Sequence, residues 1–374
     1  MSIKSIFFAF KVAKLSIINA LKLSEKNSMK TLFFENEAIN AQRNLLGIQP
    51  EMSAKDYSSV DSFINKMSTY LDSALDRGWL SSKTVVVFPE YIGMWLMAVG
   101  ESPKVIEAKT INGAMARLII ERPLLFLREL VYARGKQRLK IALLKSRAET
   151  LARDYHRAFS TIAKKYSVTL VGGSIILPGP KIRRGKLEVN LDSPLYNVSV
   201  VYRPDGSPEP RIVKKTFLAR EEVGLIASGR ARDLPVFETP AGRLAVLICA
   251  DSWYPKSYQA VDQKGAELIA VPAYVPGKGV FSAPWLGYGV GSPAGVDLRH
   301  VGKISERDAW IRYAMPTRIK QTQIKKGLTV FMRGTLWDME STGEPLIVEN
   351  HEQLTLDHVE GRDQAAAVVN LWVS

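Results

Sequence analysis

Apolar residues along the chain alternate between short continuous runs and stretches with helical spacing. NLLGIQP (44–50) reads as a buried strand closed by proline, the amphipathic run 60–75 as a helix, and TVVVFPE (84–90) as a second strand. The order recurs with a helix over 148–166, then SVTLVGGSII, then YNVSVVYRPDG with its Pro-Asp-Gly turn, LAVLICAD, another helix and AELIAVPA. Strands alternating with helices predict an α/β protein with one layered core. Two stretches break the rhythm. Residues 1–24 place Lys4, Lys11, Lys14 and Lys22 on one side of a helical wheel beside a stripe of Ile3, Ile6, Phe10, Ile17 and Leu21, although Phe7 and Ile18 fall among the lysines. Residues 100–147 interleave Leu118, Ile119, Ile120, Leu124, Leu125, Phe126, Leu127 and Leu130 with arginines and lysines, and read as a helical insertion. The expected organisation is an amphipathic extension over 1–40 and one domain over 41–374.

Charge and composition narrow the class. The chain carries 24% charged residues and a formal charge of +14, which calls for an anionic partner. No CxxC pair, RNP-like motif or basic heptad backs a nucleic acid, so none is expected. Lys11 and Lys14 interrupt the N-terminal apolar run short of the ~20 residues a membrane span needs. The lone cysteine, Cys249, cannot form an internal disulfide and suits a reducing, cytoplasmic setting. One cysteine and four histidines supply few ligands for structural zinc.

Three residues carry candidate chemistry. Cys249 in VLICADSWYP follows a buried run, where a thiol can be held rigidly while backbone N–H groups beyond it face a developing oxyanion. Glu90 follows VVVFP and Lys215 follows RIVK, each at the end of its own extended segment. Taken singly these are a core thiol, a loop carboxylate and a surface lysine. Together, in the order Glu, Lys, Cys, they form a pattern with a recognisable relative.

Phe88-Pro89-Glu90, Lys215-Thr216-Phe217-Leu218 and Cys249-Ala250-Asp251 resemble the FPE, K-x-x-L and C-x-D motifs of the nitrilase superfamily. Glu222 with Gly229 in EEVGLIASG, the turn RPDG and GAELIAVPA resemble further family segments, so the likeness runs from about residue 44 to 373. The register with Leu218 selects Lys215 over Lys214. The resemblance implies a four-layer αββα sandwich, a homodimer, no cofactor and no metal. It also implies cleavage of a non-peptide C–N bond, amide or nitrile, through a thioester on Cys249. Glu90 would be the base, Lys215 the oxyanion cation and Glu222 an orienting acid. Tyr91, Ala250, Trp253 and Tyr274, beside these motifs, are the candidate substrate contacts. The chain departs from many family amidases in carrying Trp253 where they have arginine and in the length of 100–147.

Other readings compete with hydrolysis. An amine can intercept the thioester in place of water, as in the family's lipoprotein-acylating membrane enzyme; the fold can serve as a non-catalytic scaffold; or the domain can supply ammonia to a synthetase partner. The two basic apolar segments fit an anionic membrane surface, which would place the protein peripherally on the inner membrane face with a lipid-like amide as substrate. They fit equally well against the protein's own core or a dimer interface.

Overall fold

The computed structural model describes residues 31–36, 42–288, 291–354 and 365–373. The lysine-striped segment 1–24 therefore lies outside the described residues.

The β-rich runs form two six-stranded sheets. The first has the order Leu32–Glu35, Ala367–Val373, Arg43–Gln49, Thr84–Val87, Thr169–Val171, Val201–Tyr202. The second runs Val236–Thr239, Gly242–Val246, Leu268–Ala273, Lys326–Phe331, Leu346–Glu349, Glu352–Leu354. The central strands of both are parallel. Parallel strands are covered on both faces and read as unbroken apolar runs, as TVVV and LIAVPA do.

The period of two along each strand sorts the core. Leu45, Val85, Val87 and Val171 of the first sheet share a cluster with Leu244, Val246, Ile269 and Leu328 of the second, so these faces meet. A Cβ at Gly47 would come 2.6 Å from the side chains of Leu328 and Val330, and glycine there lets the sheets approach. The alternate residues Leu46, Ile48, Val86 and Leu170 face a second cluster with Phe63, Met67 and Leu71 of the helix Val60–Asp76 and Tyr155, Phe159 and Ile162 of the helix Arg138–Tyr166. The helix Val60–Asp76 begins where Ser59 Oγ accepts from Ser62 N at 2.9 Å. The result is a mixed α/β fold.

Two elements sharpen the expectations. Leu32–Glu35 pairs in parallel with Ala367–Val373, so the sheet takes in residues ahead of the boundary expected at 41. Four residues show too little of a period to reveal that strand. Residues 100–147 are helical over Pro103–Ile106, Ile111–Glu121 and Pro123–Tyr132, and then enter the long helix Arg138–Tyr166. Buried Arg147 anchors them, with Nη1 on Glu101 and Nη2 donating to Leu118 O at 2.6 Å.

Candidate active site

Three turns bring Glu90, Lys215 and Cys249 together, each supplied by a different sheet. Past the strand Thr84–Val87 the Glu90 turn is fastened by Phe88 N to Val171 O at 3.1 Å and by Tyr91 N to Ser174 Oγ at 3.0 Å. Gly173, at φ +61°, lies where any Cβ would overlap the Pro89 carbonyl. The short strand Val213–Lys214 pairs with Leu195–Ser199 in a three-stranded sheet, Lys215 N continues the pairing onto Asn197 O at 2.9 Å, and the alternation turns Lys214 and Lys215 apart. Lys214 lies half-buried with Nζ 4.2 Å from the Tyr196 ring centroid, whereas Lys215 is only 1% exposed. Gly229 N donates to Lys215 O at 2.7 Å, and its missing side chain admits the Lys214 carbonyl, which accounts for a glycine seven positions after Glu222.

Cys249 follows the strand Gly242–Val246 and opens the 3₁₀ turn Cys249–Trp253. Its φ of +46° is a left-handed conformation that costs a non-glycine residue on the order of 1 kcal/mol or more and is held by its surroundings. The thiol lies 3.8 Å from Tyr274 O. Tyr91, at φ +60°, shows the same strain on the opposite turn.

The charges are interlocked. Lys215 Nζ lies 2.7 Å from Glu90 Oε1 and 2.8 Å from Glu222 Oε2, all three side chains being buried. Asn197 Nδ2 donates to Glu90 Oε1 and to Glu222 Oε1, both at 2.9 Å. Glu222 also accepts from Ala219 N at 2.8 Å and from the Tyr91 hydroxyl. Burial pushes both carboxyls up, but the outcome differs. Glu90 ends above the ordinary carboxylate range because the Glu222 charge adds to burial against the pull of Lys215. Glu222 ends below that range because Lys215, Tyr91 and the Ala219 N–H outweigh its burial. Burial opposes the Lys215 charge, yet the two glutamates raise its pKa well above the usual value and keep it cationic. Burial and the Glu90 charge push the Cys249 thiol well up, so sulfur rests as a neutral thiol beside a carboxylate able to take its proton.

The other sequence candidates take distinct places. Tyr91 and Tyr274 meet edge to face with centroids 5.7 Å apart, and Ala250 follows the thiol in its 3₁₀ turn. The Trp253 indole is enclosed by Trp285, Tyr288 and Trp310, with centroids 5.9, 5.3 and 5.2 Å away, so it touches the site through Tyr288. Sequence reasoning missed Asn197 and Tyr288, and gave Asp251 no role beyond its place in the C-x-D motif. Asn197 is a buried polar residue within the apolar strand Leu195–Ser199, and that misplaced polarity was its signal. Asp251 Oδ1 accepts from Thr216 N at 2.9 Å and Phe217 N at 2.7 Å, tying the lysine loop to the thiol turn. Burial lifts its carboxyl to about 7 despite these donors. Burial, then the neighbouring Cys249, raises the Tyr288 hydroxyl; its glycine-rich loop gave no cue.

A buried thiol, two glutamates and a lysine, gathered from turns of an α/β fold, mark a candidate active site. The family model for carbon-nitrogen hydrolases matches residues 47–288, and the chain belongs to that family, within the nitrilase superfamily. It is 30% identical over 120 residues to a probable hydrolase, YhcX, of Bacillus subtilis, an alignment covering 32% of this chain and 20% of that one. It is 26% identical over 177 residues to the omega-amidase NIT2 of Bos taurus, covering 46% and 55%. The chain thus spans about half or less of the length of these relatives. Among solved structures, an amidase from Nesterenkonia sp. superposes with a TM-score of 0.52 at 14% identity, covering 90% of this chain and 92% of that one. A mutant of the Nesterenkonia AN1 amidase from the nitrilase superfamily gives a TM-score of 0.53 at 13% identity, covering 89% and 92%.

Proposed function

We propose that the protein is an amidase that hydrolyses a non-peptide amide, with a hydrophobic acyl group, through a thioester on Cys249. The observation that carries this reading is the contact of Lys215 Nζ with both Glu90 at 2.7 Å and Glu222 at 2.8 Å. It divides the labour between two carboxylates. Glu222 stays ionised and holds the lysine; Glu90, with its raised pKa, exchanges protons. The likeness to the omega-amidase NIT2 of Bos taurus supports an amide as the bond cleaved.

The geometry supports the following steps. Glu90 takes the thiol proton as Cys249 Sγ attacks the amide carbon, and the carbonyl oxygen becomes an oxyanion facing Lys215 and the Ala250 N–H. Glu90 returns that proton to the departing nitrogen, the C–N bond breaks and ammonia or an amine leaves. Water enters, gives a proton to Glu90 and attacks the thioester, releasing the carboxylic acid and restoring the thiol. A neutral resting thiol suits this sequence, because the proton moves only when a carbonyl is in place. Tyr91, Tyr274 and, through Tyr288, Trp253 would shape the acyl pocket. The two facing sheets with helices outside them support the four-layer αββα reading, and the family's habit makes a homodimer the assembly to test.

A panel of amides and nitriles, assayed by ammonia release with wild type and Cys249→Ala, tests the proposal. Release from at least one amide by wild type and not by the variant is expected. A variant that turns over amides as wild type does would falsify it.

A further inference from the structure

The helix Pro123–Tyr132 has two apolar sides. Phe126 and Ala133 are buried against the fold, while Leu124, Leu127 and Val131 stand exposed at spacings of three and four, which sets them on one outward stripe. Ile120, at the end of the helix Ile111–Glu121, and Tyr132 are further exposed apolar residues of this segment. Exposure reaches 81% at Leu124 and 73% at Ile120. A surface helix ordinarily turns polar residues outward, and an apolar stripe in their place marks an interaction surface.

The exposed charges at 134–140 are all cationic, and Glu221, on the loop that Gln137 touches, is an exposed acid beside them. Arg134, Lys136, Arg138 and Lys140 are exposed, and among the described residues none of the four pairs with a carboxylate. The acids of the same stretch are turned to other work: Glu121 accepts from Ser102 N at 3.1 Å, and Glu129 is buried and bonded to Arg128 at 2.9 Å. Leu130, Val131, Arg134, Lys136 and Arg138 line a depression of about 780 Å³ in which apolar and cationic walls meet.

We propose that this face docks on an anionic lipid bilayer, with Leu124, Leu127 and Val131 entering the interface and the cations beside them meeting lipid phosphates. Charge complementarity selects this occupant. A second copy of the chain would set these cations against their own kind, whereas an anionic surface neutralises them while the leucines leave water. The face is also joined to the catalytic rim. Gln137 Nε2 donates to Val223 O at 2.9 Å and Glu221 O at 3.3 Å, the two residues that flank Glu222. Docking would set the Glu222 turn beside the membrane. This inference goes beyond amide cleavage and its test does not depend on turnover.

Flotation of the full chain with phosphatidylcholine vesicles, with and without phosphatidylglycerol, is the test. Co-migration is expected with the anionic vesicles alone, weakening as salt is added. The double variant Leu124→Ser, Leu127→Ser should lose it, while circular dichroism stays at the wild-type level. An intact chain that stays with the soluble fraction at low salt overturns the proposal. So does binding that survives the double variant and disappears on deletion of residues 1–24, which would put the membrane contact on that segment. Binding that appears only after that deletion would show the segment covering the stripe. A dimer in sedimentation that the double variant splits would make the face a contact between copies. Either result also overturns it.

Discussion

Phe217 N donates to Asp251 Oδ1 at 2.7 Å, which fixes the lysine loop to the residue two positions past Cys249. The same oxygen takes Thr216 N at 2.9 Å, and Oδ2 takes Ile248 N at 3.3 Å. Asp251→Ala should therefore cost on the order of 1–3 kcal/mol for each buried N–H left unpaired. By letting Lys215 drift from the thiol it should also lower kcat by roughly 100-fold. Chemical denaturation and steady-state kinetics read the two effects. A variant with lowered stability but unchanged kcat would deny Asp251 its positioning role.

Removing the sulfur should stop turnover without unfolding the chain. Cys249→Ala deletes one atom at a strand end, and kcat should fall by roughly 10⁴-fold or more. Glu90→Gln and Lys215→Met should be nearly as damaging. Pairing either with Cys249→Ala should add little, because the three act as one unit. Losses that multiply in the double variants would argue for independent roles.

The two lysines should separate cleanly. Lys215→Met strips a buried cation from two carboxylates, while Lys214→Met removes a half-buried ammonium lying on the Tyr196 ring. The second variant should keep kcat/KM within a few-fold of wild type. Comparable losses from both would mean that the strand register gives a wrong account of the site.

In the proposed mechanism Glu90 works as a base only when ionised, so the acid limb of the kcat/KM profile should report it. Its carboxyl lies above the ordinary range, so activity should fall as pH drops through a midpoint higher than that of a free glutamate. The Glu222 charge is one cause of that elevation. Glu222→Gln removes the like charge, and the midpoint in the residual activity should move to lower pH. A midpoint that stays in place or rises would deny the coupling.

Much of this arrangement was legible because strand ends leave a plain mark in sequence. An apolar run closed by proline or by a polar turn announces where the chain leaves a sheet, and Glu90 and Cys249 both sit at such exits. The Lys215 and Glu222 assignments rested on motif likeness, and the fold sets Lys215 against both Glu90 and Glu222. Asn197 went unread because its role depends on which strand lies across from it, and pairing partners are not written in local pattern. The enclosure of Trp253 depends on Trp285 and Trp310, more than thirty residues away along the chain. The edge strand Leu32–Glu35 is defined by a neighbour at the far end of the sequence.

Glu90 comes from the first six-stranded sheet, Cys249 from the second, and Lys215 from the three-stranded sheet. No stretch of the chain therefore holds the chemistry by itself. A proteolytic fragment that kept one sheet intact would be inert, however well folded. Turnover thus serves as a gauge of how the sheets are docked. As the molecule is heated, activity should vanish once they begin to slide, while the strands and helices still give their full circular dichroism signal.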